Sequence, residues 1–111
     1  MNTEDLKTDN FLLMRGDCVQ RIKEISDNSV DLILFSPPFA DLYTYSNYVE
    51  DMGNVSGYDQ FVEQFKYLAV ELKRVIKPGR IIAIHCMDLP TQKGRDGYIG
   101  IRRISSMIGD I

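Results

Sequence analysis

Four consecutive residues, Ser36-Pro37-Pro38-Phe39, form the clearest chemical pattern in the chain. They follow an apolar run at residues 30–35, and the two prolines fix an extended turn because neither has a backbone N–H to donate. The Ser36 hydroxyl and the carbonyls of Ser36 and Pro37 are therefore expected to stand as fixed hydrogen-bond acceptors, with Phe39 as a flat apolar surface beside them. This combination suits a planar group that carries an amine, such as an exposed nucleobase.

Two further segments lie at the carboxyl ends of predicted strands, which is where open α/β sheets bind ligands. The first holds Asp17 and Cys18, and the second is the sequence His-Cys-Met-Asp at residues 85–88. Asp17 is expected to cap the helix that follows it, and this role is compatible with a second role as a ligand. The Ser-Pro-Pro-Phe segment has a plainer interpretation as well, as a simple strand terminator.

Histidine and cysteine offer little for a metal site. The chain has one histidine, His85, and two cysteines, Cys18 and Cys86, without the Cys-x-x-Cys spacing of zinc sites. We therefore predict no metal, and we interpret His85 and Cys86 as buried strand residues. The two cysteines are also too few and too far apart to indicate a disulfide framework.

The first half of the chain predicts two buried strands with a helix between them. Residues 11–14 are a short apolar run, and residues 30–35 are a longer run of the kind that a parallel strand shows when both of its faces are covered. Residues 17–25 have apolar side chains at helical spacing. The sequence Ser-Asp-Asn-Ser at residues 26–29 is typical of a turn.

The second half predicts a long loop, a helix, a third buried strand at residues 81–86 and an amphipathic helix from Ile101 onwards. Residues 40–56 show neither helical nor strand periodicity and carry three tyrosines, which fit a loop that packs on itself as well as a lid that contacts a base. Residues 58–76 have one apolar stripe, made of Phe61, Phe65, Leu68, Leu72, Val75 and Ile76. The sequence Lys-Pro-Gly-Arg at residues 77–80 is expected to end this helix with a type II turn.

The order of elements, β-α-β-loop-α-β-α, is that of an α/β fold with a parallel sheet and right-handed crossovers. A length of 111 residues allows at most one small domain. No apolar run approaches the roughly 18 residues that a membrane span needs, and the polar start resembles no secretory signal, so we expect a cytoplasmic location. The net charge of −3 makes the chain by itself a poor candidate for strong sequence-independent DNA binding.

Residues 30–39, Val-Asp-Leu-Ile-Leu-Phe-Ser-Pro-Pro-Phe, resemble the catalytic motif of the DNA methyltransferases that modify amino groups, the N4-cytosine and N6-adenine enzymes. In that family the motif reads Asp, Asn or Ser, then Pro-Pro, then Tyr, Phe or Trp, at the end of a buried strand. The surroundings are similar too, from Gly-Asp-Cys at residues 16–18 to Lys-Pro-Gly at residues 77–79. The resemblance covers residues 11–90.

The resemblance implies part of a Rossmann-like fold that uses S-adenosylmethionine, with about three parallel strands and their crossover helices. It implies direct methyl transfer to the exocyclic amine of cytosine (N4) or adenine (N6) in a base flipped out of double-stranded DNA, as in bacterial or phage-type restriction-modification systems. Serine at the first motif position favours cytosine without deciding it. The implied catalytic residues are Ser36, Pro37, Pro38 and Phe39, and the implied cofactor-binding residues are Asp17, Cys18 and Ser36.

Two features of the family are absent from these 111 residues, namely its glycine-rich Phe-x-Gly-x-Gly motif and its target-recognition region. The glycine pair within residues 93–97 does not follow a strand that ends in Phe. We therefore expect residues 1–111 to be a single partial α/β domain, the N-terminal catalytic half of such an enzyme, inactive as a separate molecule. The alternative is a non-catalytic α/β remnant, or a subunit that needs a second chain or an oligomer to complete the cofactor site.

Overall fold

A computed structural model describes residues 4–37, 58–90 and 100–111 of the chain. The predicted tyrosine-bearing loop, residues 40–56, lies outside the described residues, as do Pro38 and Phe39. The elements, in chain order, are β1 (Leu6–Lys7), β2 (Leu12–Leu13), α1 (Cys18–Arg21), a 3₁₀-helix (Ile22–Glu24), β3 (Val30–Phe35), α2 (Tyr58–Val75), β4 (Ile76–Ile84), β5 (Leu89–Pro90), β6 (Ile101–Arg102) and α3 (Ile104–Asp110). The prediction of a mixed α/β structure is confirmed.

The parallel pairing expected of an α/β fold joins β3 to β4. From Leu32, which pairs with Ile81, the register runs without interruption to Phe35, which pairs with Ile84. Within the described ranges the other strand pairs, β1 with β2 and β5 with β6, are antiparallel and two residues long. The expected sheet of about three parallel strands is therefore seen as one parallel pair in the part of the chain that the structure describes.

For the first predicted strand, at residues 11–14, the predicted burial and the predicted strand partner are both wrong. Leu12 and Leu13 are exposed, and they pair antiparallel with Leu6–Lys7 instead of joining the parallel strands. The cause is a local turn, in which the Thr8 hydroxyl accepts hydrogen bonds from the backbone N–H groups of Asn10 and Phe11 and turns the chain back on itself. A short hairpin therefore forms where a sheet strand was expected.

The prediction that β3 is covered on both faces is also wrong for the described residues. Side chains alternate along a strand, and Ile33 and Phe35 pack against the core while Leu32 and Leu34 remain 60% and 72% exposed. Ile81, beside Leu32 on β4, is exposed as well. The described helices cover one face of the parallel pair, so its second face is apolar and open.

The core is built on α2, whose predicted apolar stripe is confirmed from Phe61 to Val75. Its last predicted member, Ile76, is the exception, since the helix ends at Val75 and Ile76 is a half-buried residue of β4. Phe61 and Phe65 lie fully inside it, with their ring centroids 5.9 Å apart, and the Phe65 ring also stacks on Phe35 of β3 at 6.3 Å. The C-terminal helix was expected from Ile101, but it begins at Ile104, because Ile101 and Arg102 pair with β5 as a strand. The buried side of this helix joins the same cluster. The buried members of the cluster are Phe61, Phe65, Leu68, Leu72, Ile104, Met107 and Ile108.

The junction between α2 and β4 contains the predicted Lys-Pro-Gly-Arg turn. The helix ends at Val75, and the strand register passes from the pair Val30–Ile76 to the pair Leu32–Ile81, so that two steps on β3 face five on β4. Gly79 has a φ of +77°, which is the value that the third position of a type II turn needs. The strand expected at residues 81–86 instead runs from Ile76 to Ile84, because pairing with β3 begins at Ile76, directly after the helix. The turn therefore lies inside β4 as a bulge and does not end the helix.

Candidate functional site

The carboxyl ends of β3 and β4 bring two polar residues together, Ser36 and His85. Because Phe35 pairs with Ile84, the residues that follow each strand are neighbours at the same edge of the sheet. The backbone N–H of His85 donates to the Phe35 carbonyl at 2.9 Å, which extends the parallel ladder by one residue. The position of Ser36 relative to His85 is therefore fixed by the sheet itself.

The Ser36 hydroxyl contacts two atoms of His85. Its oxygen lies 3.0 Å from the His85 carbonyl oxygen, to which it donates, and 3.2 Å from the ring Nδ1. A hydroxyl has one proton and two acceptor lone pairs. Since the proton points at His85, the Ser36 oxygen keeps acceptor capacity for a third group. The sequence-based expectation that Ser36 serves as an acceptor is compatible with this geometry.

Exposure differs sharply between the first two residues of the Ser-Pro-Pro-Phe segment. Ser36 is exposed, whereas Pro37 is buried. The chain is thus anchored directly after the residue whose hydroxyl faces outward. The remaining two residues of the segment, Pro38 and Phe39, lie outside the described residues, and their assigned roles stay predictions.

Asp17 caps α1 as the sequence predicts. Its Oδ1 accepts a hydrogen bond from the backbone N–H of Val19 at 3.0 Å, and its own backbone is extended, with φ −66° and ψ 122°. Cys18, the first residue of α1, is exposed. No hydrogen bond found in the described ranges joins Asp17 to Ser36. The structure therefore brings Ser36 to His85 and leaves Asp17 engaged with its own helix.

His85 was expected to be buried in a strand, and this expectation is wrong. The strand ends at Ile84, and His85 is exposed because the chain leaves the sheet there. Cys86, next to it, is half-buried and packs against the core cluster. The signal that could have identified His85 as a site residue is the register between β3 and β4. Phe35 pairs with Ile84, so His85 follows β4 at the same level as Ser36 follows β3.

Asp88 ends the third segment that sequence reasoning singled out, and its role is structural. Its Oδ1 accepts hydrogen bonds from the backbone N–H and the hydroxyl of Ser105, at 3.0 and 2.8 Å. These two bonds hold the pKa of Asp88 below its ordinary value, the backbone bond having the larger effect. Asp88 thus fastens the chain beyond β4 to the first turn of α3.

Residues 4–37, 58–90 and 100–111 contain no group of three or more His, Cys, Asp or Glu side chains that could hold a metal ion. Within the same ranges, no helix has both the length and the apolar character that crossing a membrane requires.

Comparison with known proteins gives two matches over much of the chain. The chain is 36% identical over 78 residues to the type II methyltransferase M.BamHI of Bacillus amyloliquefaciens, an alignment that covers 70% of this chain and 18% of that enzyme. It is 27% identical over 104 residues to an uncharacterized 20.3 kDa protein encoded in the HE65-PK2 intergenic region of Autographa californica nuclear polyhedrosis virus, covering 94% of this chain and 59% of the viral protein.

The chain matches only part of the length of each relative. The chain spans less than a fifth of the bacterial enzyme and about three fifths of the viral protein. No family model and no solved structure matches the chain. The similarity to a type II methyltransferase supports, at the level of the family, the resemblance drawn from the Ser-Pro-Pro-Phe segment and its surroundings.

Proposed function

We propose that this chain carries the catalytic turn of a DNA methyltransferase that transfers a methyl group to the exocyclic amine of cytosine or adenine. Two observations support the proposal. One is the similarity to a type II methyltransferase. The other, which carries the chemistry, is the exposed Ser36 hydroxyl, whose proton points at His85 and whose lone pairs are left to accept a hydrogen bond.

Ser36 is the central residue of the proposed mechanism. Its oxygen accepts a hydrogen bond from the amine of a base flipped out of double-stranded DNA, and the Pro37 carbonyl accepts a second one. The nitrogen lone pair is then oriented away from both acceptors and towards the methyl donor. Holding the amine nitrogen in line with the methyl carbon removes the entropy cost of bringing the two together in solution. Positioning therefore supplies most of the rate enhancement.

Pro38 and Phe39 complete the proposed turn. As a residue type, Pro38 restricts the residue before it to extended conformations, and Phe39 is the aromatic residue that we assign to stacking on the flipped base. Stacking on an aromatic ring orients a base without reading its identity. The choice between cytosine and adenine therefore depends on groups other than Phe39.

The described residues fit S-adenosylmethionine in part. When bound, this cofactor would supply the methyl group from its sulfonium centre, with the S–C bond breaking to leave a neutral thioether as the N–C bond forms and the methylated amine losing one proton to solvent. Asp17 uses one carboxylate oxygen to cap α1, and a carboxylate has further lone pairs that can accept from an adenine amine or a ribose hydroxyl. We assign Asp17 and the exposed Cys18 beside it to this part of the site, with Ser36 next to the methyl group.

A second candidate function is favoured by the open face of the parallel pair. Leu32, Leu34 and Ile81 leave a row of large apolar side chains exposed on one side of β3 and β4. Such a face is typical of a subunit that completes its fold against a second chain. In that case the chain binds the cofactor only after its partner has joined it.

Because these residues are expected to be inactive as a separate molecule, the proposed function is tested in a chimera in which this chain replaces the matching part of the bacterial relative. The chimera is expressed in a host that lacks N4-cytosine and N6-adenine methylation, and the host DNA is digested for mass spectrometry. The proposal predicts one of these two methylated bases with the natural Ser36 and neither with Ser36→Ala. Absence of both bases with the natural residue contradicts it. Calorimetric titration with S-adenosylmethionine separates the candidates, because micromolar binding by the chain alone excludes the need for a second chain.

A further inference from the structure

The Ser36 side chain contacts two atoms of a single residue at the sheet edge. The hydroxyl oxygen lies 3.0 Å from the carbonyl oxygen of His85 and 3.2 Å from Nδ1 of its ring. Both side chains are exposed, so water could satisfy either one, and burial does not require them to bond to each other. The double contact therefore calls for an explanation other than the satisfaction of buried polar groups.

We propose that His85 is a positioning residue that fixes the rotation of the Ser36 hydroxyl, so that the oxygen presents a lone pair, and never its proton, to the target amine. This inference rests on the proposed function and adds to it a residue outside the Ser-Pro-Pro-Phe segment. A serine hydroxyl rotates freely when nothing holds it, and an outward proton would repel the N–H of the incoming amine.

The role of His85 holds for either neutral form of its ring. When Nδ1 carries the ring proton, it donates to the Ser36 oxygen and the hydroxyl proton goes to the His85 carbonyl. When Nδ1 is unprotonated, the carbonyl and the ring nitrogen are both acceptors, and both draw the hydroxyl proton towards His85. In each form the outward side of the Ser36 oxygen retains a lone pair.

The register of the sheet makes this arrangement rigid. The backbone N–H of His85 is bonded to the Phe35 carbonyl at 2.9 Å, so the residue that holds the hydroxyl is tied to the residue that precedes Ser36. Phe35 in turn stacks on Phe65 in the core. The residues that orient the Ser36 hydroxyl are thereby connected, through Phe35, to the buried core cluster.

The contact itself is tested by NMR, because His85 is the only histidine in the chain and its ring nitrogens give unambiguous signals. Ser36→Ala is expected to shift the ring ¹⁵N resonances of His85. Ser29→Ala is the matched control, since the Ser29 hydroxyl also donates to a backbone carbonyl, that of Ser26 at 2.6 Å, at the other end of β3. Ring signals that respond equally to both variants, or to neither, overturn the proposal.

The positioning role is tested by methyl-transfer kinetics on DNA with the chimera of this chain and the bacterial relative described above. His85→Ala is expected to lower kcat about 3- to 10-fold, which is the worth of one hydrogen bond, while KM for DNA and for S-adenosylmethionine stays near that of the natural chain. His85→Asn should recover part of the loss because an amide atom can stand where Nδ1 stands. Tyr67→Ala, which removes an exposed ring from α2, serves as the control and should leave kcat unchanged.

A double variant separates positioning from a general structural effect. If His85 acts through Ser36, then His85→Ala has little further effect on kcat once Ser36 is alanine. Independent, multiplying losses overturn the proposal, and so does an unchanged kcat in His85→Ala. If the chimera with the natural residues methylates no DNA while the NMR coupling is present, the proposed function fails and the positioning role fails with it, although the Ser36–His85 contact stands.

Discussion

The two ends of the parallel pair β3–β4 are held by different forces. At the amino end, the guanidinium of Arg74 donates to the carbonyls of Ile22 and Ile25, at 3.0 and 2.7 Å, and to the carboxylate of Asp27 at 2.6 Å. At the carboxyl end the anchor is apolar, since Phe35 stacks on Phe65 beneath the sheet. The first end is therefore fastened by charged hydrogen bonds and the second by packing.

Backbone bonds add to the polar fastening of the amino end. The N–H of Asn28 donates to the Arg74 carbonyl at 3.0 Å, and the N–H of Ser29 donates to the Val75 carbonyl at 2.9 Å. The turn before β3 is thus tied directly to the end of α2. Polar groups at this end are used to hold the chain together.

The difference between the ends explains why chemistry is expected at only one of them. Packing below the sheet positions the carboxyl end without consuming the polar groups above it, so Ser36 retains acceptor capacity. At the amino end the comparable hydroxyl, that of Ser29, lies within a turn that is fixed to α2. The following predictions alter each kind of fastening in turn.

The largest effect is expected from removing the apolar anchor. Phe65→Ala deletes a ring that is 2% exposed and stacks on both Phe35 and Phe61, and a change of this kind costs about 3–5 kcal/mol of unfolding free energy. Urea unfolding measures the loss. Tyr67→Ala on the exposed side of the same helix should change the stability little. Equal losses in the two variants would contradict the assignment of the core.

Arg74→Met removes the polar fastening while keeping an unbranched side chain of similar length. Hydrogen bonds to Asp27, and next to Glu71, raise the pKa of Arg74, so the guanidinium stays charged in the native state. We expect thermal unfolding to begin several degrees lower, with the turn before β3 losing amide protection first in hydrogen exchange. Lys66→Met, which removes an exposed ion pair with Glu63, is the control and should have a smaller effect. A uniform loss of protection along β3 would speak against a local clamp.

Gly79→Ala tests the turn conformation of the bulge inside β4, between Ile76 and Ile81. The backbone at Gly79 has a φ of +77°, and a Cβ there would meet no atom within 4 Å, so the cost is conformational strain alone. An alanine in this region costs about 1–2 kcal/mol. Gly109→Ala, in the last turn of α3 and equally unobstructed, should leave the stability unchanged or raise it. If both substitutions have the same effect, the turn conformation assigned to residues 77–80 is wrong.

The smallest effect is expected from removing the ion pair between Lys77 and Asp31. Its Nζ and Oδ1 atoms lie 2.8 Å apart near the start of β3 and β4. The hydrogen bond from Lys77 lowers the pKa of Asp31 below its ordinary value of 3.8. A lowered pKa means that the native state favours the charged carboxylate, so the contribution is present above pH 3.8 and lost as the pH falls further. Lys77→Met should therefore reduce stability slightly at neutral pH and not at all in strong acid. A difference that persists unchanged in acid would rule out this pair as its source.

Much of the fold follows from local patterns in the sequence. The stripe on α2 could be predicted because apolar residues about one turn apart share one face of a helix, and here that face is buried against β3, β4 and α3. Asp17 and Gly79 are confirmed because a cap and a left-handed turn each depend on their own few residues. The strand at residues 11–14 could not be predicted correctly, since its partner was decided by the turn at Thr8.

The site was only half predictable, for a reason of the same kind. Ser36 is marked by the two prolines that follow it, and this signal is local. His85 is marked by nothing in its own neighbourhood, because its contact with Ser36 depends on the register between strands 49 residues apart in sequence. The exposure of one side of β3 could not be predicted either. The apolar run at residues 30–35 indicates a strand that can be covered on both faces, but it carries no information about which element covers each face.

If Ser36 accepts a hydrogen bond from the amine that is methylated, then Ser36→Ala and Ser29→Ala must differ in methyl transfer to DNA by the chimera of this chain and the bacterial relative. We expect Ser36→Ala to lower kcat by about 10- to 100-fold with little change in the Kd of S-adenosylmethionine, and Ser29→Ala to change neither. Equal losses of kcat and cofactor affinity in Ser36→Ala, or equal turnover by the two variants, would contradict it.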